Sequence, residues 1–262
     1  MMQKKRFAIT LRFGCSLVML AALASMTTHS SGDTLLYDPL EGGTVRFSNI
    51  SESSDTDPLP LFGAPTIVGD SLGFGLPLFS STSENGTSDE TSGTLVILIE
   101  ALPGNYIQRI YLDESGDFSI FPFPVGTAAT FASIHTPVDL NILEIDGSAP
   151  SNPVTVAANL VFSSDGEWNL ADDGTSSGPW SGLLDLDVSA AITDSGYSGH
   201  ATKVYFEMEN ILDTGSEPGT SATIAKKVFG GVSVTTSKVP EPATLMLLAI
   251  AAALLLARRR KR

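Results

Sequence analysis

The chain has 262 residues, 42% of them hydrophobic, and a formal net charge of −14. Its cations sit almost wholly at the two ends: between residues 25 and 238 only Arg46, Arg109, Lys203, Lys226, Lys227 and Lys238 stand against 28 acids, a net charge of −22. Such a surface repels a phosphate backbone and excludes nucleic acid as a partner, while it suits solubility outside the cell, divalent cations or basic partners.

The N-terminus carries Lys4, Lys5, Arg6 and Arg12, followed by an apolar run over residues 13–24 that ends Ala22-Leu23-Ala24. That order predicts a secretory signal peptide over residues 1–24, exported by the Sec machinery and cut by signal peptidase between Ala24 and Ser25, with a second possible cut near Ser31-Gly32. The run is about half the ~20 residues needed to span a bilayer. Cys15, the one cysteine of the chain, precedes most of the apolar run and so is no lipoprotein acylation site. The exported product then has neither thiol nor disulfide, and its core must hold it together unaided.

Residues 25–237 read as one acidic all-β ectodomain, an antiparallel β-sandwich or jelly roll, with an up-and-down barrel as the competing closure. Short runs rich in Val, Ile, Thr, Phe and Tyr predict strands near 44–50, 72–79, 93–100, 105–112, 117–121, 127–134, 138–145, 154–162, 183–191, 202–211 and 221–235. Alternation is clearest where Val204, Phe206 and Met208 oppose Tyr205, Glu207 and Glu209, and where Leu184, Leu186 and Val188 flank Asp185 and Asp187. The polar stretches 51–60 and 80–92 read as mobile linker and loop.

Candidate chemistry in this region is sparse. Gly69-Asp70-Ser71-Leu72 matches the nucleophile block of a GDSL-type esterase, with Ser71 as the serine. A serine nucleophile needs a histidine base held by an aspartate and an oxyanion hole. The late histidine, His200, has no Asp-x-x-His arrangement, and Gly69-Asp70 serves equally as a turn before a strand. No cofactor is expected, and His135 and His200 lack zinc spacing. Structural calcium has oxygen ligands on offer in two acidic stretches, Asp113 with Asp117 and Asp172 with Asp173. Trp168 and Trp180 are the residues for a sugar-stacking platform, and a carbohydrate-binding module is the alternative to a non-enzymatic surface component.

The C-terminus holds the most specific pattern. Pro240 and Pro242 keep Val239 and Glu241 extended, a conformation an enzyme can thread. Residues 243–257 are then free of charge, and Arg258, Arg259, Arg260, Lys261 and Arg262 close the chain. The apolar run would be ~22 Å long as a helix, short of a ~30 Å hydrocarbon core, and the five cations would hold its end in the cytoplasm.

Residues 238–262, through Val239-Pro240-Glu241-Pro242-Ala243-Thr244, resemble the PEP-CTERM sorting signal. The resemblance implies recognition by an exosortase, a membrane-embedded transpeptidase, with cleavage near Pro240–Pro242 and loss of the helix. It also implies release at the cell surface in association with exopolysaccharide. The ectodomain is similar to a group of PEP-CTERM β-sandwich proteins in Phe62-Gly63-Ala64-Pro65-Thr66, in Gly69-Asp70-Ser71-Leu72-Gly73-Phe74, in Thr202-Lys203-Val204 and in residues 220–227. That group carries no activity that the resemblance would transfer.

Overall fold

The computed structural model describes residues 34–75, 79–121, 127–169, 171 and 176–238. The residues of the expected leader cut, Ala22, Ala24 and Ser25, the acids Asp172 and Asp173, and the whole tail from Val239 to Arg262 lie outside them. The chain opens with β1 (Thr34–Leu36), β2 (Leu40–Glu41), β3 (Val45–Ser53), β4 (Pro65–Val68), β5 (Ser71–Phe74) and β6 (Ser80–Glu84). Two long strands follow, β7 (Ser88–Ala101) and β8 (Asn105–Phe121). Then come β9 (Phe131–His135), β10 (Pro137–Ile145), β11 (Val154–Asn159), β12 (Val161–Phe162) and β13 (Glu167–Asn169). The last elements are β14 (Ser177–Asp187), the short helix α1 (Val188–Asp194), β15 (Ala201–Gly215) and β16 (Ser221–Lys238).

The fold is all-β and every strand pairing is antiparallel. The strands form two sets. In the first, β1 and β2 pair with β3, β3 with β7 and β7 with β15, whose far edge takes β10 and β9. In the second, β12 pairs with β14, β14 with β8 and β8 with β16, whose far edge takes β6 and β5. The two sets join at the rung Ala201↔Ile107.

Alternating side chains from both sets meet in one core. Leu95, Ile97 and Ile99 of β7 and Val204, Phe206 and Met208 of β15 come from one side; Ile110 and Leu112 of β8 and Ala222 and Ile224 of β16 come from the other. This is a sandwich-like arrangement, and the period of two along β15 is the one its sequence predicts.

Several boundaries differ from the sequence reading. Strands expected at 105–112 and 117–121, with an acidic loop between, are one 17-residue strand, β8. Its neighbours carry the ladder straight through the acids, with Leu183↔Asp113 and Pro179↔Asp117 on the β14 side. Pairing on both edges overrides the turn signal of Asp-Glu-Ser-Gly-Asp.

The strand expected over 183–191 stops at Asp187. The Asp187 carboxylate accepts from the Ala190 amide at 2.8 Å and so caps α1, while it also takes Arg109 at 2.6 Å. These donors hold the Asp187 carboxyl below the ordinary aspartate range, the Ala190 amide first and Arg109 next. A folded-state pKa that is depressed contributes stability present above the unfolded value and lost as pH falls through the folded one. Asp187→Ala is therefore expected to cost ~1 kcal/mol at neutral pH. Its difference from wild type should shrink in acid unfolding curves below the ordinary aspartate value of 3.8.

Residues 80–92, expected as a loop, hold β6 and the start of β7 around a tight turn. Asn85 (φ 52°) and Gly86 (φ 86°) are both left-handed, and Thr87 N donates to Glu84 O at 3.2 Å. That is the type I′ geometry for which Asn-Gly is suited. The stretch expected as a linker near 51–60 begins inside β3 and contains Glu52, which is buried.

Candidate functional site

The end of β16 is where the sorting tail leaves the domain. Ser237 and Lys238 still pair with Tyr106 and Asn105 of β8. Thr236 Oγ1 lies 2.6 Å from Thr44 Oγ1, and Ser237 Oγ donates to Gln108 Oε1 at 3.1 Å. The strand is thus paired through Lys238. Beside this last rung lies an open depression lined by Pro103, Asn105, Asp146, His200 and Thr202. The His200 ring packs on Tyr106 with centroids 4.1 Å apart, and Nδ1 lies 3.4 Å from Asp146 Oδ1.

Ser71 is the first residue of β5, after a turn in which Gly69 has φ 60°. Its hydroxyl lies 2.7 Å from Ser233 Oγ, a hydroxyl and not an imidazole. Asp70 accepts from the Thr44 amide at 2.7 Å and from the Thr44 hydroxyl. The Gly-Asp-Ser stretch therefore ties the turn after β4 to the start of β3.

Asp113 and Asp117, the described pair of calcium candidates, lie within β8 and not in a loop. Asp113 sits opposite Gly231, and Asp117 forms an ion pair with Lys227. Among the described residues, no group of three or more metal-ligating side chains converges.

The sugar-platform reading of the two tryptophans is corrected. Trp168 is 3% exposed and stacks on Phe118 at 4.7 Å; Trp180 is 2% exposed and meets the edge of Phe162 at 5.9 Å. Gly116 makes room for the Trp180 indole: a Cβ there would lie 2.5 Å from it and 2.0 Å from the Ala225 carbonyl oxygen. With their faces against protein, neither ring offers a platform to a pyranose.

A polar cluster that the sequence reading missed lies deep between the two strand sets. Lys226 of β16, Glu114 of β8 and Asn210 of β15 are all buried. Lys226 Nζ donates to Glu114 Oε1 at 2.7 Å and to Asn210 Oδ1 at 2.9 Å. Asn210 Nδ2 donates to the same Glu114 Oε1 at 3.0 Å, while Glu114 Oε2 is buried without a partner. Both charged side chains are 0% exposed.

Three phenyl rings wall the cluster. Lys226 Nζ lies 4.3 Å from the centroid of Phe229, 5.1 Å from that of Phe62 and 5.4 Å from that of Phe79. Phe62 is fixed in turn by Glu52, whose Oε2 accepts from the Leu61 and Phe62 amides at 2.9 and 2.7 Å. Glu52 also takes the Tyr37 hydroxyl; burial first, and this bond next, push the Tyr37 phenol well above its ordinary range. Burial likewise pulls the Lys226 amine below the ordinary lysine range, against the opposing pull of Glu114.

Fold and tail together define a class: an all-β protein whose last strand runs into a C-terminal processing signal. That signal is of PEP-CTERM type, since residues 238–261 match the PEP-CTERM protein-sorting motif. The motif marks an exported protein processed at the membrane. No curated protein matches the chain.

Among the solved structures that align with it are two of slight likeness. TmCBM61 in complex with beta-1,4-galactotriose is 8% identical, over 64% of this chain and 70% of that one, with a TM-score of 0.23. The enzymatically active domain of bacteriophage CBA120 tailspike protein 4 is 11% identical, over 57% and 19%, with a TM-score of 0.14. At these TM-scores neither likeness bears on fold or ligand.

Proposed function

We propose that this chain is a non-enzymatic surface or matrix component, exported with a cleavable leader and released from the membrane by an exosortase-type transpeptidase. It is then retained with exopolysaccharide. The observation that carries the reading is the sorting motif at 238–261, which follows without a spacer on a strand paired to its last residue, Lys238.

The ectodomain supports a structural role. Ser71 pairs with a hydroxyl, and the acids of β8 are held in a ladder. The surface on offer to a polysaccharide is an open depression of about 640 Å³ beside β8, whose lining includes Asp117, Phe118, Ser119, Trp180, Thr223 and Lys227. Its hydroxyls and the Asp117–Lys227 ion pair suit hydrogen bonding to sugar hydroxyls, while Trp180 and Phe118, 2% and 5% exposed, present little ring surface for stacking.

The test is the mass of the protein recovered from the surface of an exosortase-positive host. The expected product ends near Pro240–Pro242 and lacks the apolar tail. Replacing Pro240, Glu241 and Pro242 by alanine should leave the chain in the inner membrane at its unprocessed mass. An intact tail on wild-type protein in that fraction would overturn the reading.

A further inference from the structure

We propose that Lys226 and Asn210 join in an intramolecular isopeptide bond, formed by the chain itself with Glu114 as the proton carrier. Geometry comes first. Lys226 Nζ lies 2.9 Å from Asn210 Oδ1, so the carboxamide carbon is at most one C=O length, ~1.2 Å, farther away. Glu114 Oε1 touches both reactants, at 2.7 Å from the amine and 3.0 Å from the carboxamide nitrogen. One carboxylate is thus placed to take a proton from the nucleophile and deliver one to the leaving group. Holding reactants at such distances removes much of the entropic barrier to the reaction.

The surroundings favour reaction over a resting ion pair. A buried ammonium and carboxylate are costly to desolvate, and Glu114 Oε2 has no partner to offset that cost. Burial shifts Lys226 toward the uncharged amine, the form with a free electron pair. Asn210 is 0% exposed and Phe62, Phe79 and Phe229 wall the amine beside it, so water is kept out and hydrolysis of the carboxamide does not compete.

The step balances without any outside reagent. The Lys226 ammonium gives a proton to Glu114, and the free amine attacks the Asn210 carboxamide carbon. A carbon–nitrogen bond forms and the carbonyl π pair moves to Oδ1. When the tetrahedral centre collapses, the bond to Nδ2 breaks, and Glu114 passes a proton to that nitrogen, which leaves as ammonia. The second proton lost by the lysine nitrogen stays on Glu114, so the carboxylate ends as a carboxylic acid. Lysine ammonium, glutamate and asparagine become an amide, ammonia and glutamic acid, with charge conserved and no electron transferred.

The reaction occurs once per chain and turns over no substrate. Its product removes both charges from the core. It also ties β15 to β16, one strand from each set, in a protein whose sole cysteine is Cys15.

The test is mass spectrometry of the folded full chain, intact and after denaturation and cleavage at glutamate. Glu217 lies between Asn210 and Lys226, so the cut separates their fragments unless they are bonded. Wild type is expected one ammonia lighter than its sequence mass, with the two fragments still joined. Glu114→Gln should fold with the same β-sheet circular dichroism, show no ammonia loss and release the fragments separately. Asn210→Asp should give joined fragments with loss of water instead of ammonia.

Folded wild type at full mass with separate fragments would overturn the proposal. Loss of ammonia with separate fragments would also overturn it, because that pattern marks a succinimide at Asn210. The wild-type result decides by itself; should Glu114→Gln not fold, Asn210→Ala supplies the unlinked control.

Discussion

Lys226→Met is expected to destabilise the ectodomain by at least ~3–5 kcal/mol, the cost of leaving a buried charge without its partner. The substitution keeps the length and apolar stem of the side chain, so the Phe62–Phe79–Phe229 wall still has something to pack on. What it strands is Glu114, whose Oε1 keeps only the Asn210 amide and whose Oε2 has nothing. Replacing both charges, with Glu114→Leu added to Lys226→Met, should return most of that loss, because buried ion pairs rarely outperform apolar residues of similar volume. Guanidinium unfolding of the three proteins at matched m-values measures each step.

The same cycle reads the covalent bond. If Lys226 and Asn210 are joined, the apolar double variant remains below wild type by the constraint a closed loop places on the unfolded chain. For a loop of about 15 residues that constraint is on the order of 3 kcal/mol in the disulfide analogy. A double variant as stable as wild type would leave no room for the bond.

Trp180→Ala is the second large expectation, a loss of ~3–5 kcal/mol from the cavity and the lost contacts. For a domain of this size that corresponds to a fall in Tm of roughly 10 °C. The indole is fully buried, lies on the backbone of β8 at Gly116, and meets Phe162 edge-on. A surface platform residue would behave oppositely: its removal would spare the melting temperature and abolish sugar binding. An unchanged Tm for Trp180→Ala would show that the ring is not part of the core.

Much of the fold was legible in the residues. The alternation of Val204, Phe206 and Met208 put one face of β15 inward, and turn residues bounded most strands. The polar cluster was legible in part by the same rule. Asn210 continues the inward series of β15, Glu114 follows Ile110 and Leu112 in step, and Lys226 follows Ala222 and Ile224. Three polar residues at apolar positions of separate strands were the signal.

Two things hid it. Residues 113–117 have the composition of an acidic loop, which removed Glu114 from any strand. The partners are also 96, 112 and 16 positions apart, and only strand register brings them together. The tryptophans misled for a related reason. Trp180 lies in a Gly/Ser-rich stretch that looks exposed, yet Gly116 on the facing strand creates the slot that swallows it. Asn85-Gly86 is a readable turn signal, but its neighbours are polar throughout and carry no strand pattern on either side.

The rung Lys238↔Asn105 fixes a clearance. From Lys238 to Pro242 is four residues, and four residues fully extended reach at most ~14 Å. An enzyme that cuts within Val239–Pro242 must therefore bring its catalytic cleft within that reach of Asn105 and the turn before it, or first peel the last rungs of β16 away from β8. The size and polarity of the side chains at that one corner of the domain, Pro103 and Asn105 among them, would then help set how fast such an enzyme cuts.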